Sequence, residues 1–185
     1  MRVIGGRLKG KRLASFKGSR IRPTSDRVKE AIFNIISSHI EKGMGVLDLF
    51  AGTGNLGIEA LSRGAGRAVF VEKDKASVEV IRKNLESCSL TGESEVIGLD
   101  IKKALPIIGS KGESFGLIFL DPPYNQGLAD DTLQLLGKSP LHSGTLIITE
   151  HSPNETISEN YGGIKMFDKR KYGDTSVSFF RGVID

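Results

Sequence analysis

The sequence feature that most constrains the fold is a regular alternation of short apolar runs with longer amphipathic segments. Five runs rich in Val, Ile, Leu and Phe have the character of buried strands: MGVLDLF (44–50), RAVFVEKD (67–74), SEVIGLD (94–100), FGLIFLD (115–121) and GTLIITE (144–150). Helical patterns lie between them: NLGIEALSRG, which should end at Gly64, then KASVEVIRKNLESCSL, IKKALPII and LADDTLQLLGK. Strands that are apolar on both faces and separated by helices predict an α/β fold with a parallel sheet covered on both sides.

The two ends of the chain extend this pattern. RPTSDRVKEAIFNII (22–36) predicts a helix before the first strand, with Thr24, Ser25 or Asp26 as its cap. GIKMFDKRKYG (163–173) and DTSVSFFRG (174–182) meet at Gly173 and predict an antiparallel pair at one edge of the sheet. Pro106 is expected to limit the start or the continuation of the helix over 101–108. HSPNETISENYGG (151–163) has no interpretable pattern.

The segment AGTGNLG (51–57) carries glycines at the spacing G-x-G-x-x-G, which is typical of dinucleotide-binding enzymes. Asp48 lies in the preceding strand, four positions before Gly52. A carboxylate at that point would repel a pyrophosphate, whereas it suits a ligand with an ammonium group. S-adenosylmethionine has an α-amino group, a sulfonium and no phosphate, so the sequence favours it over a dinucleotide.

Two more acidic residues follow the next two predicted strands. Glu72 can accept hydrogen bonds from both hydroxyls of a ribose, which either cofactor would supply. Asp100 can accept one from an adenine amino group. Because ligands of open α/β sheets bind at the carboxyl ends of the strands, Asp48, Glu72 and Asp100 are expected to line one site. The alternative is that these carboxylates only cap helices.

The stretch LIFLDPPYNQG (117–127) predicts a second site at the same edge. An apolar strand delivers Asp121, Pro122, Pro123 and Tyr124, and consecutive prolines hold the backbone extended and remove two N–H donors. Outward-facing carbonyls beside a carboxylate suit a planar exocyclic amino group, and the tyrosine ring suits the base that carries it. An ordinary turn with a surface tyrosine is the alternative for the motif taken alone.

The charge is uneven along the chain. The formal net charge is +4, yet residues 1–22 hold eight Lys or Arg and no acidic residue. A basic segment on a mildly acidic body is typical of a protein that binds a polyanion such as RNA. We therefore predict a basic N-terminal extension over 1–22, a short hairpin rather than a floppy tail, and one domain over 23–185. The RNA-binding residues in the extension are predicted to be Arg7, Lys9, Lys11, Arg12 and Arg22.

Other residue types exclude several classes of function. Cys88 is the only cysteine, and His39, His142 and His151 share no ligand spacing, so we expect no disulfide and no metal site. No apolar run reaches the roughly 18 residues of a membrane span, and the N-terminus lacks the apolar core of a signal peptide. A cytoplasmic protein is expected. The basic residues of 165–171 are interpreted as a solvated strand face.

The motifs VLDLFAGTGNLGIEALSRGA, VEKD and DPPY resemble those of class I S-adenosylmethionine-dependent methyltransferases that modify an amino nitrogen. MRVIGGRLKGKRL, RPTSDRVKEAIFNII and KYGDTSVSFFR narrow the resemblance to the RsmD-type bacterial 16S rRNA (guanine-N2)-methyltransferases, and it extends over almost the whole chain. The resemblance implies a Rossmann-like methyltransferase sheet. It also implies methylation of the guanine that bacterial rRNA numbering calls 966, in a partly assembled small ribosomal subunit.

The resemblance also implies roles for individual residues. The residues that contact the target base would be catalytic: Asp121, Pro122, Pro123 and Tyr124. Those of the cofactor site would be Asp48, Phe50, Ala51, Gly52, Thr53, Gly54, Glu72, Lys73, Asp100 and Ile101. S-adenosylmethionine would be the cofactor, no metal would be required, and a monomer is expected.

Three other functions remain open at this point. The Asp-Pro-Pro-Tyr motif also occurs in adenine-N6 methyltransferases, although this chain has no room for a separate target-recognition domain. A non-catalytic RNA-binding assembly factor could keep the same fold, but the intact motifs speak against it. A nicotinamide dehydrogenase is disfavoured by Asp48.

Overall fold

A computed structural model describes residues 1–15, 26–139 and 144–182. Within these ranges the chain forms one eight-stranded sheet and five α-helices. The helices are α1 (Asp26–Ile36), α2 (Asn55–Ser62), α3 (Lys75–Ser87), α4 (Ile101–Ser110) and α5 (Leu128–Leu136). The strands are β1 (Gly45–Leu49), β2 (Arg67–Val71), β3 (Ser94–Ile97), β4 (Leu117–Leu120), β5 (Leu146–His151), β6 (Asn160–Tyr161), β7 (Ile164–Tyr172) and β8 (Thr175–Gly182).

The sheet has the strand order β3-β2-β1-β4-β5-β8-β7-β6. The first five strands in that order are parallel, and β8, β7 and β6 continue the sheet in antiparallel pairs. Both the parallel sheet and the antiparallel pair at one edge are therefore confirmed. β1 pairs with β2 on one side and with β4 on the other, so successive strands are added on opposite sides of β1. Open α/β sheets place their ligand crevice at such a point, where the strand order changes direction.

Alternate residues of each parallel strand pack into two separate cores. One core lies between the sheet and α1, α2 and α3, with Phe33, Phe70 and Phe119 among its fully buried side chains. The other core lies on the opposite face against α4 and α5 and contains Leu47, Ile118 and Leu133. Burial on both faces explains why the strand sequences are nearly continuous apolar runs.

One helix differs from the expectation, at Pro106 in α4. Pro106 lies inside α4, and the helix continues to Ser110, so the expected limit at this proline is wrong. A proline here removes one helical hydrogen bond, and the burial of Ile101, Ala104 and Ile108 against the sheet outweighs that loss. The end of α2 agrees with the prediction: Arg63 caps the helix, and Gly64 follows with a positive φ of 115°.

The segment without an interpretable pattern forms the outer edge of the sheet. β6 pairs with only the first two residues of β7, so most of β7 has no strand beside it on that side among the described residues. A β-bulge lies between Met166 and Asp168, and Lys169 and Lys171 are exposed beyond it. Bulges and lysines are devices that protect an edge strand from pairing with another chain, which accords with the solvated face expected here.

Residues 1–14 form a compact unit that we call the N-terminal hairpin. Arg2 and Arg12 form an isolated antiparallel bridge, and the Val3 amide donates to the Lys11 carbonyl at 2.9 Å. A single 3₁₀ turn over Gly6–Leu8 closes the unit, and Val3 and Leu13 bury their side chains in the core beside α1 and α2. Residues 1–14 thus form a hairpin, and the predicted extension over 1–22 stays a prediction because residues 16–22 lie outside the described residues. The boundary predicted between residues 22 and 23 lies outside the described residues.

The N-terminal hairpin is fixed to α2 through polar groups. The amides of Ile4 and Gly5 donate to the Glu59 carboxylate at 2.9 and 2.8 Å. Ser62 accepts from the Leu8 amide at 2.9 Å and donates to the Gly5 carbonyl at 2.6 Å. Within the described ranges, no helix is both long enough and apolar enough to cross a membrane.

Gly57 marks the closest approach of α2 to the sheet. A Cβ atom on this residue would lie 2.8 Å from Cζ of Phe70 and 3.1 Å from Oδ2 of Asp48. We therefore expect Gly57→Ala to push α2 away from β2 and to lower the free energy of unfolding by about 1–3 kcal/mol. Urea denaturation measures the change.

Gly109→Ala is the matched control, because Gly109 is also helical and has no atom within 4 Å of the added Cβ. It should stabilise the protein by about 0.4–1 kcal/mol. Equal effects of the two substitutions would contradict the close-packing role of Gly57.

Candidate active site

The carboxyl ends of the central strands form one continuous edge. Leu49 pairs with Val71 on one side and with Leu120 on the other, and Val71 pairs with Ile97. The residues that follow these positions leave the sheet at the same level. The structure therefore brings together the predicted cofactor residues after β1, β2 and β3 and the Asp-Pro-Pro-Tyr motif after β4.

The loop after β1, residues 50–54, has an unusual backbone. Phe50, Gly52 and Gly54 all have positive φ angles, of 59°, 56° and 78°. The Gly54 amide donates to the Ala51 carbonyl at 2.7 Å, which closes the turn. For Phe50 this conformation is strained, by an amount of order 1–3 kcal/mol, and such strain is typical of functional loops. Sequence reasoning missed this feature of Phe50.

The backbone of this loop is open to a cofactor at Gly52, and none of the loop side chains is charged. A Cβ on Gly52 would have one neighbouring atom within 4 Å, the Phe50 carbonyl oxygen at 3.9 Å. Residues 50–54 include no Lys or Arg that could neutralise a phosphate. Thr53, further along the loop, is half-buried.

Asp48 lies beneath this loop, and its side chain is only 1% exposed. Its Oδ2 accepts a hydrogen bond from the Gly57 amide at 2.9 Å. Burial raises the pKa of Asp48 well above its usual range; the Gly57 N–H opposes this shift, while the charges of Asp121 and Glu72 add to it. The structure thus connects Asp48 to the start of α2, and its predicted contact with the cofactor stays a prediction.

Glu72 bridges the ends of the first two strands. Its carboxylate accepts from the Gly52 amide at 2.9 Å and from the Asp74 amide at 2.9 Å. A carboxylate has about four lone-pair positions, so two remain for the hydroxyls of a ribose. The adjacent Lys73 is exposed.

Asp100 and Ile101 complete the predicted cofactor side. Asp100 is exposed and caps α4, accepting from the Lys102 amide at 3.0 Å. Ile101 is buried in the core between the sheet and helices α4 and α5, with 6% of its surface exposed. The helix-cap alternative is therefore correct for one oxygen of Asp100, and its second oxygen has no part in that bond.

The Asp-Pro-Pro-Tyr motif follows β4 directly. Asp121 and Tyr124 are half-buried, Pro122 is buried and Pro123 is exposed. The Tyr124 hydroxyl lies 3.1 Å from Oγ1 of Thr175, the first residue of β8. Thr175 was not singled out from the sequence, although it lies in the KYGDTSVSFFR block that helped to narrow the resemblance.

The turn after this motif also contains a residue other than glycine with a positive φ. Asn125 has a φ of 59°, and asparagine is one of the few residues other than glycine that tolerate this region. Left-handed backbone therefore occurs in the loops after both β1 and β4, beside the two predicted sites.

Carboxylates dominate one face of this edge. Asp48 pairs with Phe70 and Phe119, so Glu72 and Asp121, each two positions further on, project to the same face. Glu150 of β5 projects to this face as well, because it lies two positions after Ile148, which pairs with Phe119. A ligand with ammonium and sulfonium charges fits this donor set, whereas a pyrophosphate does not.

The predicted RNA-binding residues differ in their surroundings. The Arg7 guanidinium forms an ion pair with Glu93. Lys9, Lys11 and Arg12 are exposed and make no ion pair with the residues that the structure describes. Arg22 lies outside the described residues. Three exposed cations of the N-terminal hairpin are therefore available to a polyanion.

The doubly covered sheet, the glycine loop and the Asp-Pro-Pro-Tyr edge together define a class I methyltransferase. A family model described as "Conserved hypothetical protein 95" matches residues 1–181. The chain belongs to this family, the family of the RsmD-type methyltransferases. The predicted class, an S-adenosylmethionine-dependent methyltransferase, is thereby confirmed.

The names of individual relatives also describe methyltransferases. "Putative rRNA methyltransferase YlbH" of Bacillus subtilis is 39% identical over 182 residues, which are 98% of each chain. "Ribosomal RNA small subunit methyltransferase D" of Escherichia coli is 38% identical over 136 residues, 74% of this chain and 66% of that protein. The solved structure "Putative methyltransferase yhhF from Escherichia coli" superposes with a TM-score of 0.85 at 31% identity, over 100% of this chain and 99% of that one.

The raised pKa of Asp48 makes the stability depend on pH in a defined direction. Between the ordinary Asp pKa and the higher folded-state pKa, the unfolded chain loses this proton and the folded protein keeps it. The native protein should therefore lose stability relative to Asp48→Asn as pH rises through this interval, by at most about 1.4 kcal/mol per pH unit. Urea denaturation of both proteins without cofactor, from pH 4 to pH 8, measures the difference.

Asp74→Asn is the control with the opposite sign. Hydrogen bonds from the Ser77 amide and hydroxyl lower the pKa of Asp74, so its contribution to stability is lost as pH falls. A pH-independent difference between Asp48→Asn and the native protein would contradict a protonated Asp48 in the folded state.

Proposed function

We propose that this enzyme transfers a methyl group from S-adenosylmethionine to the exocyclic N2 of a guanine in 16S rRNA, in a partly assembled small ribosomal subunit. The observation that carries the proposal is the Asp-Pro-Pro-Tyr motif, which lies at the same sheet edge as the glycine loop in a chain of this family. The names of the relatives support rRNA as the substrate class. Guanine 966 is the position that the resemblance implies.

The cofactor would occupy the loop after β1 and the ends of β2 and β3. Its positively charged end would lie near the carboxylate face, its ribose on Glu72 and its adenine between Asp100 and Ile101. Phe50 through Gly54 would supply backbone contacts, with Lys73 at the rim. S-adenosylmethionine supplies an electrophilic methyl group, because its sulfonium sulfur leaves as a neutral thioether.

The target amine needs help from the protein because its lone pair is delocalised into the guanine ring. The Asp121 carboxylate and the Pro122 carbonyl would accept hydrogen bonds from N2, drawing its hydrogens out of the ring plane. As the N–C bond forms and the S–C bond breaks, positive charge develops on N2 and one proton leaves. Asp121 would stabilise that charge and receive the proton at a carboxylate oxygen.

Tyr124 would hold the base in position. Its ring would stack on a guanine turned out of the RNA, and the bond between its hydroxyl and Thr175 restricts the ring orientation. β8 thus supports the target site from the antiparallel side of the sheet. Such restriction favours in-line transfer, because the reacting atoms must meet in a narrow geometry.

The N-terminal hairpin would bind the RNA through Lys9, Lys11 and Arg12, which point into solvent. These residues would neutralise backbone phosphates and carry no information about the base. We further propose that the enzyme acts as a monomer in the cytoplasm, where its rRNA substrate is assembled.

Asp121→Ala tests the chemistry. It should reduce turnover by about 10²- to 10³-fold, because it removes a group that stabilises charge mainly in the transition state. The affinity for S-adenosylhomocysteine should change much less. Methyl transfer to small subunits from cells lacking the enzyme measures turnover, and calorimetry measures the affinity.

Mass analysis of nucleosides from the modified rRNA completes this test. N2-methylguanosine is the expected product of the native enzyme. Near-normal turnover of the variant would contradict the role of Asp121. If the product is N6-methyladenosine, the mechanism still acts on an amino group, but the assignment to guanine is wrong. If no methylated nucleoside is formed, the result favours a non-catalytic assembly factor.

Replacement of Lys9, Lys11 and Arg12 by Ala tests the RNA-binding surface. Affinity for the small-subunit particle should fall, and the slope of log K against log salt should decrease by about 0.7–0.9 for each phosphate that the protein no longer neutralises. Cofactor affinity should be unchanged. Arg7 is left intact because it pairs with Glu93.

The matched control removes the same charge from the edge strand. Lys165, Lys169 and Lys171 of β7 are also exposed, and their replacement by Ala should leave the salt slope nearly unchanged. If the two triple variants weaken binding equally, binding depends on total charge and not on the N-terminal hairpin.

A further inference from the structure

Both ends of the N-terminal hairpin are connected to the cofactor loop. At one end, Oγ1 of Thr53 lies 3.6 Å from the sulfur of Met1. At the other end, Asn84 of α3 joins the hairpin to the same loop residue: its Nδ2 donates to the Thr53 carbonyl at 2.9 Å and to the Ala14 carbonyl at 3.1 Å. The Ala14 amide donates in return to Asn84 Oδ1 at 2.7 Å.

A second bridge runs through α1. The Lys29 ammonium donates to the Arg2 carbonyl at 2.6 Å and to Oδ1 of Asn55 at 2.7 Å. Asn55 is the first residue of α2, next to Gly54. The two positions on either side of Gly54 are therefore held by side chains that also hold the N-terminal hairpin.

Asn84 fills its position completely. Its side chain is 1% exposed, and both its donor hydrogens and its acceptor oxygen are used. The orientation of the amide is fixed, because two carbonyl oxygens face its nitrogen and one N–H faces its oxygen. A carboxylate at this position would repel two carbonyl oxygens, and an apolar residue would leave three partly buried backbone groups without this partner.

The contacts of Asn84 connect a segment next to Arg12 with the loop of residues 50–54. Ala14 follows Arg12 and Leu13, so a phosphate bound at Arg12 would act on a segment two residues from the Asn84 bridge. Thr53 lies between Gly52, whose amide binds Glu72, and Gly54, the N-cap residue of α2. A displacement of the hairpin would thus be transmitted directly to the backbone of the cofactor loop.

We infer that Asn84 is a positioning residue that couples RNA binding at the N-terminal hairpin to cofactor binding at the loop of residues 50–54. This inference rests on the proposed function, since it requires that the hairpin binds RNA and that the loop binds the cofactor. RNA bound to the hairpin would reduce the remaining motion of Thr53 through Asn84, so the cofactor would bind a less mobile loop. The coupling is reciprocal: the cofactor strengthens RNA binding by the same factor.

The experiment measures S-adenosylhomocysteine affinity with and without saturating small-subunit particles from cells lacking the enzyme. The native protein should bind this ligand at least about 5-fold more tightly in the presence of the particle, at the lower end of typical allosteric coupling. In Asn84→Ala the ratio of the two affinities should fall to about 1. A purely structural role for Asn84 would weaken both affinities and leave their ratio unchanged.

Ala14→Pro provides an independent test should Asn84→Ala fail to fold. It removes the N–H that binds Asn84 Oδ1, while Asn84 keeps its bond to Thr53. The affinity ratio should again fall towards 1. Ala14→Gly is the matched control, because it keeps both backbone groups and should keep the native ratio.

Hydrogen exchange gives a readout that does not depend on activity. Binding of the particle to the native protein should slow exchange in the loop of residues 50–54, and this protection should disappear in Ala14→Pro and remain in Ala14→Gly. Independent binding of both ligands by the native protein, with a ratio near 1, would overturn the coupling and leave the proposed function intact. Failure of the native protein to bind the particle at all would overturn the proposed function and the coupling together.

Discussion

The buried carboxylate of Glu59 is the interaction on which the arrangement of the molecule depends. It is inaccessible to solvent, yet it accepts from the amides of Ile4 and Gly5 and from Arg63 at 2.8 Å, and it pairs with Lys29 at 3.2 Å. A buried charge is costly unless it is both paired and hydrogen-bonded, and here each carboxylate oxygen is satisfied. Burial lowers the pKa of Lys29, and the charge of Glu59 opposes that shift. Removing one partner from such a group typically costs about 3–5 kcal/mol, so the charge cluster strongly constrains the N-terminal hairpin, α1 and α2 to one relative position.

This cluster also explains why the site can be built on short loops. Lys29 reaches from Glu59 to Asn55, so the same charge that anchors the N-terminal hairpin also fixes the start of α2. On the sheet side, Gly57 lets α2 lie against Phe70, and its amide binds Asp48. The loop of residues 50–54 is therefore held from three directions: the sheet, α2 and the hairpin. That support is what allows Phe50 to keep a strained backbone, since such conformations persist only where the surroundings determine them.

Local patterns predicted most of the fold, and the failures have physical causes. Continuous apolar runs identify buried parallel strands because burial on both faces leaves no other residue type, and the five strands were found on this basis. The glycine loop and the Asp-Pro-Pro-Tyr motif were predicted to lie at one sheet edge, as they do, because each directly follows an apolar strand. Glu59 was missed because it lies in NLGIEALSRG, where a glutamate has the sequence signature of a surface helix, and because its partners Lys29, Ile4 and Gly5 lie far from it in the sequence. The effect of Pro106 was predicted wrongly and β6 was missed for a related reason, since tertiary burial decided the first and strand pairing the second, and neither leaves a periodic pattern.

The distribution of charge follows from the two ligands that a methyltransferase of RNA must hold together. The predicted cofactor edge carries Asp48, Glu72 and Asp121 on one face; burial is the main cause of the raised pKa of Asp48, and the charges of Asp121 and Glu72 add to it. Such an edge would repel phosphates, so in the proposed function the RNA backbone would need a cationic surface elsewhere, and only the base would enter the acidic site. The N-terminal hairpin would supply that surface, while its uncharged backbone amides, not its cations, make the bonds to Glu59. Because the hairpin contacts α2 through backbone amides, Lys9, Lys11 and Arg12 remain exposed. The positive hairpin and the acidic sheet edge can therefore lie on connected segments without neutralising each other.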